Sequence, residues 1–373
     1  MSAILKILGA ISPPPPAPLS RDYEGYQVCW KMLCFRPSVF KFEAIAFALV
    51  GLYLGLYFVG RTVNQQRAKS TIAPFRLFFS TQFASIQPLL SSSPALHLLF
   101  ATGRRSVLAL HATIILYPLH DLPSLIISFV RGIIEPTYQN GEKIEWDLTL
   151  GSGSDGLQEG VGVWGLVAKD GMKELKAKRW DLTFAKLTEN AIIPITHTLF
   201  QEHSDVTELV LKTPNIGVNE VIKDSTAASV LKYLLITDVA AVRPAKGPLT
   251  AKSKSRHIIL GVNKPSNNAE REAVEAWLQV AFNLADLLAR PGLLKPDVAR
   301  KLQKTRATVD ADLLAAYKKE EDELNPAEQT SEDKRLAKKK EQRAKLSEKE
   351  LKKVEELDRK RELRKLQKKG MLK

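Results

Sequence analysis

The stretch Phe42–Gly60, FEAIAFALVGLYLGLYFVG, constrains this chain more than any other. It carries one charge, Glu43, at its edge. At ~1.5 Å rise per residue a helix over these residues reaches about 28 Å, close to the ~30 Å hydrocarbon core of a bilayer. A buried helix of a soluble domain rarely runs so far without a polar interruption, so the stretch reads as one transmembrane span. It separates a short N-terminal segment, 1–41, from a much longer C-terminal part.

The span is patterned. Ala44, Ala48, Gly51 and Gly55 recur at spacings of 4, 3 and 4, while Phe47, Leu52, Tyr53, Leu54 and Phe58 cover much of the rest. Small residues let a second helix approach closely in lipid, where packing drives association. Gly and Ala are also common in membrane helices generally, and the pattern fits either origin. Before the span, the apolar run Ile7–Ile11 is too short for a signal peptide and is cut off by Pro13–Pro16, so the span itself is expected to act as a signal-anchor. Three basic residues precede it (Lys31, Arg36, Lys41) and four follow (Arg61, Arg67, Lys69, Arg76), a bias that places the C-terminal part in the cytosol. The absence of any Asn-X-Ser/Thr sequon agrees. The only two cysteines, Cys29 and Cys34, are too few for a disulfide scaffold or a zinc site and read as free thiols.

Beyond the span the chain mixes helical and strand patterns. Arg61–Leu99 reads as a juxtamembrane helix ending at Pro88, followed by a Ser91–Ser93 loop. Val107–Leu119 is β-rich, and Asp121 with Pro123 opens a helix through Ile134. His111, Pro118, His120, Asp121 and Pro123 argue against a second span over Val107–Ile134. Lys143–Leu150 and Val161–Val167 alternate and suggest a hairpin around the turn Gly151–Gly156; a helix follows at Met172–Ala177. Leu231–Thr237 and His257–Val262 are further strands. Asn267-x-x-Glu270 is a capping box ahead of an amphipathic helix through Val274, Trp277, Leu278, Ala281, Leu284, Ala285 and Leu288. The expectation is an α/β domain large enough for a real core.

Enzymatic motifs find little support. Gly160-Val161-Gly162-Val163-Trp164-Gly165 matches G-x-G-x-x-G, but a dinucleotide fingerprint needs those glycines between a strand and a helix, and here they lie inside a strand pattern. Ser152-Gly153-Ser154-Asp155-Gly156 lacks the first glycine of a nucleophile elbow and sits in a turn. The six histidines (His97, His111, His120, His197, His203, His257) show no metal-ligand spacing, and no phosphate-binding loop occurs.

The formal charge is +14, with 55 Lys and Arg against 41 Asp and Glu, which points to polyanionic partners: nucleic acid, ribosome or anionic lipid. The excess concentrates after Pro291. Leu302, Val309, Leu313 and Ala316 mark one more amphipathic helix, and capping boxes at Asn325 and Ser347 start others. The apolar stripe beyond Leu336 does not sustain heptads, which argues against a long coiled coil. Lys334–Lys373 holds 18 basic and 7 acidic residues. Its clusters are Lys338, Lys339, Lys340 and Arg343; Lys352 and Lys353; Arg359, Lys360, Arg361, Arg364 and Lys365; and Lys368 with Lys369. Clustered cations bind phosphate backbones through counterion release without reading bases, and aromatic stacking platforms are missing from this tail. The loop Ala245–Arg256, with Lys246, Lys252, Lys254 and Arg256, is a second candidate contact.

The order of these parts carries a resemblance. A signal-anchor ends at Gly60-Arg61; Ala101-Thr102-Gly103-Arg104 opens the domain; Trp164-Gly165-Leu166-Val167 leads into a basic helix; Arg256-His257-Ile258-Ile259-Leu260 leads into the Trp277 helix; Lys301–Tyr317 and a Lys/Glu tail ending Gln367-Lys368-Lys369-Gly370-Met371 follow. From Phe42 to Lys373 the chain resembles the calumin-like coiled-coil subunit of the PAT complex, the protein associated with the ER translocon. The resemblance implies an ER protein with a cytosolic domain and a ribosome-contacting tail beside the Sec translocon. It implies a small multispan partner of the Asterix kind, with which such a subunit forms an intramembrane chaperone for multipass proteins. Animal members look to carry an acidic lumenal stretch linked to calcium. No cofactor is expected from the residues; the resemblance allows calcium, for which residues 1–41 offer only Asp22 and Glu24.

The expected organisation is thus a single-pass membrane protein: segment 1–41, span 42–60, juxtamembrane helical region 61–106, cytosolic α/β domain 107–290 and basic helical tail 291–373. The function expected is non-enzymatic membrane-protein biogenesis. The alternative is a membrane-anchored RNA- or anionic-lipid-binding protein unrelated to translocation, and a third class, a hydrolase using Ser154, has least to support it.

Overall fold

The 19-residue apolar stretch continues without a break into the domain that follows it. A computed structural model describes residues 25–30, 33–37, 40–135, 138, 141–150, 161–244, 255–290 and 292–324. In it a short hairpin, β1 (Val28–Trp30) and β2 (Leu33–Phe35), precedes a single 42-residue helix, α1 (Lys41–Gln82). Then come β3 (Ser85–Ile86), β4 (Leu90–Ser93), β5 (Leu96–Thr102), β6 (Val107–Ile115), α2 (Leu122–Ile134), β7 (Lys143–Leu150), β8 (Trp164–Ala168) and α3 (Met172–Lys178). They are followed by β9 (Lys186–Thr188), β10 (His197–Gln201), α4 (Ser204–Lys212), α5 (Val218–Val221), α6 (Ser225–Val230), β11 (Leu231–Thr237), β12 (His257–Asn263), α7 (Asn268–Leu288) and α8 (Pro296–Leu324).

The chain divides into two units, 1–243 with 251–302, and 244–250 with 303–373. In the second, the described residues from 303 to 324 are the continuation of α8, a highly charged helix. The first is organised by one sheet of ten strands among the described residues, in the order β3-β5-β6-β7-β12-β11-β8-β10-β9, with β4 also on β5. Every pairing is antiparallel. The expected mixture of helix and strand is present, but the topology is α+β, without the parallel crossovers that define a doubly wound α/β sheet.

Side chains alternate between two apolar layers. On one face, Ile144, Trp146 and Leu148 of β7 and Ile258, Leu260 and Val262 of β12 join α1 and α7. Phe75 and Phe79 of α1 pack on the Trp146 ring at 5.9 and 5.2 Å between centroids, and Phe282 of α7 completes the cluster. On the other face, Val167, Phe200, Tyr233, Leu235 and Ile259 lie under Met172 and Leu175 of α3 with Trp180 and Phe184. Central strands are therefore apolar on both sides, and β7, open on one, alternates cleanly. At the start of α7, Asn267 Oδ1 accepts from the Glu270 amide at 2.8 Å as a capping box requires, while Glu270 Oε2 accepts from the amide of Ser266, one residue ahead of the N-cap, at 2.6 Å.

Four expectations give way. The juxtamembrane helix stops at Gln82, not Pro88, and the region to 106 is not helical throughout, because residues 85–102 are drawn into pairing on and around β5. Ser91–Ser93 accordingly belong to β4 and are not a loop. β7 and β8 are not a hairpin: β12 and β11 lie between them, since β7 pairs with β6 and β12, and β8 with β10 and β11. Alternation identifies a strand but not its neighbour. Finally, Cys29 is disulfide-bonded, and its register partner across β1 and β2 is Cys34, so the reading as free thiols is corrected.

Glu142, just before β7, ties α1 to two other parts of the domain. Its side chain, 10% exposed, accepts from Arg67 Nη2 and from Lys264 Nζ, each at 2.8 Å, and from the Tyr117 amide at 3.2 Å. Burial pushes this carboxyl up, but the Lys264 and Tyr117 hydrogen bonds and the charges of Lys264 and Arg67 outweigh it and hold it below the usual range. A carboxyl depressed on folding contributes stability that is complete above its unfolded pKa of ~4.3 and lost as pH falls through its lower folded value. Glu142→Gln should therefore destabilise the detergent-solubilised protein by about 1–3 kcal/mol at pH 7, less than a fully buried pair because Arg67 is partly solvated. The gap between variant and parent in thermal unfolding should narrow below about pH 4. Equal melting midpoints at pH 7 would reduce the cluster to a surface contact.

Candidate functional site

The junction between the exposed apolar half of α1 and the domain is built from one face of that helix. Tyr57 packs edge-on against the His120 ring at 5.6 Å between centroids. Asp121, the residue before α2, accepts from the Ser124 hydroxyl, which chiefly holds its carboxyl low, and the nearby Tyr53 hydroxyl lowers it a little further. Gly60 touches the chain just ahead of α2: a Cβ there would stand 2.5 Å from the Leu119 carbonyl oxygen and 2.6 Å from the His120 backbone. Buried Asn64 donates to the Tyr117 carbonyl at 2.8 Å, Arg67 reaches Glu142, and Phe75 and Phe79 enter the core. Positions 53, 57, 60, 64, 67, 71, 75 and 79 follow a 3–4 spacing and share one side of the helix. Residues 117–121 thus receive the end of the apolar stretch of α1 while the sheet receives the last turns of the helix.

The small-residue stripe faces away. Gly55 lies about 200° around the helix from both Tyr53 and Tyr57, at ~100° per residue, and Ala44, Ala48 and Gly51 fall in the same sector. All four are exposed, and a Cβ at Gly51 or Gly55 would meet nothing within 4 Å. One side of α1 is therefore committed to the domain and the opposite side of its apolar half is open.

The basic residues singled out in the tail, Lys338, Lys339, Lys340, Arg343, Lys352, Lys353, Arg359, Lys360, Arg361, Arg364, Lys365, Lys368 and Lys369, lie outside the described residues, as do residues 245–254, Ser152 to Gly156 and the capping boxes at Asn325 and Ser347. Of the second basic candidate, Arg256 is described. Its guanidinium donates to the Leu288 carbonyl at 3.0 Å and its carbonyl accepts from the Leu150 amide, so it joins β7, β12 and α7.

Gly162 and Gly165 serve packing. Gly162 has a φ of +78°, and a Cβ on Gly165 would stand 2.5 Å from Leu235 Cδ2 in the adjacent strand. No helix N-terminus follows them directly to cradle a phosphate. Buried His197 bonds Thr196 Oγ1 at 2.9 Å and the Leu231 carbonyl at 3.4 Å, and burial pushes its pKa down. Among the described residues no three His, Cys, Asp or Glu side chains converge on a metal position.

One polar chain escaped the sequence reading. Ser255 Oγ lies 2.6 Å from His257 Nε2, and His257 Nδ1 lies 2.8 Å from Asp147 Oδ1, the hydrogen-bond order of a serine hydrolase triad. Ser255 and His257 are two residues apart at the entry to β12, with Asp147 on the neighbouring strand, so the contact is a local clasp where the chain returns to the sheet. A cleft of about 740 Å³ on this domain lies elsewhere, lined by Asp170, His197, Lys223 and Lys232 among others. The α1 docking face was missed as well, although its small and polar residues continue the 3–4 period of Phe75 and Phe79 back to Tyr53 and could have revealed it.

Comparison with known proteins bears on the whole arrangement. An endoplasmic reticulum membrane protein of Schizosaccharomyces pombe is 26% identical over 219 residues, covering 55% of this chain and 56% of that protein. The chain thus spans about half the length of the curated relative it matches. A family profile described as PAT complex subunit CCDC47 matches residues 39–365, from the start of α1 through the sheet and α8 into the basic tail. The chain belongs to that family of PAT complex subunits.

Proposed function

We propose that this chain is a non-enzymatic scaffold for membrane-protein biogenesis at the endoplasmic reticulum, in which α1 crosses the membrane, the small-residue stripe holds a multispan partner and the basic tail contacts the ribosome beside the Sec translocon. The observation that carries the reading is the extent of the family match, from the spanning helix into the basic tail. The ER location draws on the yeast relative, itself an endoplasmic reticulum membrane protein. α1 is long and apolar enough to span, and its apolar window is unburied.

Orientation follows from redox chemistry and charge together. Disulfides persist in oxidising compartments and are rare in the cytosol, so the disulfide at Cys29 favours a lumenal N-terminal side. A polyanion-seeking tail needs the cytosol. Protease added to intact microsomes should digest everything after Arg61, while Cys29 and Cys34 resist maleimide until detergent and reductant are both present. A protected C-terminal domain would invert the topology.

The stripe accounts for how a membrane partner is held. Gly51→Leu with Gly55→Leu adds bulk without lowering hydrophobicity, so insertion should persist while recovery of the small partner from solubilised microsomes falls several-fold. Undiminished recovery would leave the stripe as background composition.

The tail accounts for the ribosome. Its basic excess of 11 over Lys334–Lys373 (18 less 7) exceeds what intrahelical pairing neutralises. Binding should weaken steeply between ~50 and ~200 mM salt and tolerate sequence changes in the RNA. Deleting Lys334–Lys373, or reversing Arg359, Lys360, Arg361, Arg364 and Lys365, should reduce ribosome co-sedimentation at physiological salt without disturbing the upstream core. Unaltered pelleting and salt sensitivity would move the contact to the Ala245–Arg256 loop.

A further inference from the structure

α2 is inside out for a helix on a soluble domain. Such helices turn their apolar stripe to the core. In α2 Ser124, Leu125 and Ser128 are half-buried, while Ile126, Ile127, Phe129, Val130, Ile133 and Ile134 are exposed, the last two 69% and 72%. None of its 13 residues is buried. Isolated exposed apolar residues are ordinary on a protein surface, but six large ones on three consecutive turns form a patch that calls for an apolar neighbour.

The attachment of α2 tells what that neighbour is. The helix begins directly after His120 and Asp121, which contact Tyr57 and Tyr53. Both tyrosines lie within the apolar stretch of α1, and Tyr53 is seven residues before its end, about 10 Å along the axis. The start of α2 therefore sits at the depth of the last turns of the span, not beyond them. Interfacial helices bury an apolar face ~5–10 Å into the boundary between headgroups and acyl chains, which matches this offset. At about 20 Å, 13 helical residues are too short to cross a ~30 Å core. Polar groups cluster beside the same level: Arg61, Gln65, Ser91, Ser92 and Ser93 line a cleft of about 200 Å³ that Tyr57 also lines. The Arg131–Glu135 pair and the Arg131 guanidinium stacked over Tyr138 put charge at the far end of α2.

We infer that α2 is an interfacial membrane helix whose exposed apolar face is seated in the lipid of the leaflet through which α1 leaves the bilayer. The inference rests on the reading of α1 as a membrane span. It gives the domain a second attachment to the membrane, displaced sideways from the first, so the domain cannot swing about α1 without lifting six apolar side chains out of lipid.

The test uses the full chain with Cys29 and Cys34 replaced by Ser, carrying one new cysteine labelled with a polarity-sensitive fluorophore. Four variants serve: Phe129→Cys and Ile133→Cys on the face in question, Phe47→Cys inside the span, and Leu187→Cys on an exposed strand of the sheet. Each is reconstituted alone into phosphatidylcholine and phosphatidylinositol vesicles containing doxyl-labelled lipid. Labels at residues 129, 133 and 47 should emit to the blue and be quenched several-fold more by the doxyl lipid than by aqueous iodide, with the reverse at 187. If 47 is quenched by lipid while 129 and 133 answer only to iodide, the inference fails and the reading of the span survives. If 47 also answers to iodide, the reading of the span fails. Labels at 129 and 133 that are wet in these vesicles but shielded in native microsomes and crosslinked there to a protein would assign the face to a protein partner, again overturning lipid as its occupant.

Discussion

The structure depends on the continuity of one helix. α1 runs 42 residues with no break between its exposed apolar half and its domain half, so the position and rotation of the apolar half are transmitted to the sheet. A flexible linker after Gly60 would have left both free. The contacts holding that continuity differ in kind. Phe75 and Phe79 on Trp146 give strength, since burying a large aromatic side chain is worth about 1.5–3 kcal/mol each. Glu142 between Arg67, Lys264 and the Tyr117 amide gives register, because its hydrogen bonds are met in one arrangement only. Gly60 gives proximity: any side chain there would collide with backbone at residues 119–120, which cannot yield as a side-chain tip can.

This division explains why the domain needs an antiparallel sheet of this width. The α1 and α7 aromatics occupy one face around β7 and β12, and α3 with Trp180 and Phe184 closes the other around β8 and β11. The middle strands are apolar on both faces and paired along both edges, so they offer no free backbone to another chain. The Ser255–His257–Asp147 clasp and the Glu142 cluster both stand where connections re-enter the sheet. Polar networks at such points fix how loops return to strands.

Much of this was legible from local pattern, and what was not shares one cause. The long apolar helix over 42–60, the Asn267 N-cap, the Trp277 helix and the strands at 107, 143, 231 and 257 were visible because periodicity and capping are written in neighbouring residues. The failures concern partners distant in sequence. Lys143–Leu150 and the strand at 164 alternate as a hairpin would, yet their pairing is decided by β11 and β12, which arrive more than sixty residues later. Pro88 looked like a helix end because proline restricts only the residue before it, whereas the real end at Gln82 is set by pairing on and around β5. The Cys29 disulfide was missed because a count of two thiols says nothing about a strand register that sets them opposite each other. The docking face was hidden for another reason: Tyr53, Tyr57, Gly60 and Asn64 are neither uniformly apolar nor bulky, so composition conceals a period that their contacts make plain.

That period also settles how one helix can serve two neighbours. A helix surface is shared by rotation, and here the two uses are separated by about half a turn of azimuth. Tyr53, Tyr57 and Gly60 lie on the side of residues 117–121, while Ala44, Ala48, Gly51 and Gly55 occupy the opposite sector and are exposed. If the stripe had coincided with the docking face, the segment before α2 would have crowded a second helix away from the domain end of the apolar stretch. Because it does not, a partner helix can pack along the apolar half of α1 without touching the domain, and the domain can be held by Glu142 and the aromatic cluster without reference to that partner. The separation is a property of residue spacing alone, fixed when positions 44, 48, 51 and 55 are small and positions 53, 57, 60 and 64 are those that approach the domain.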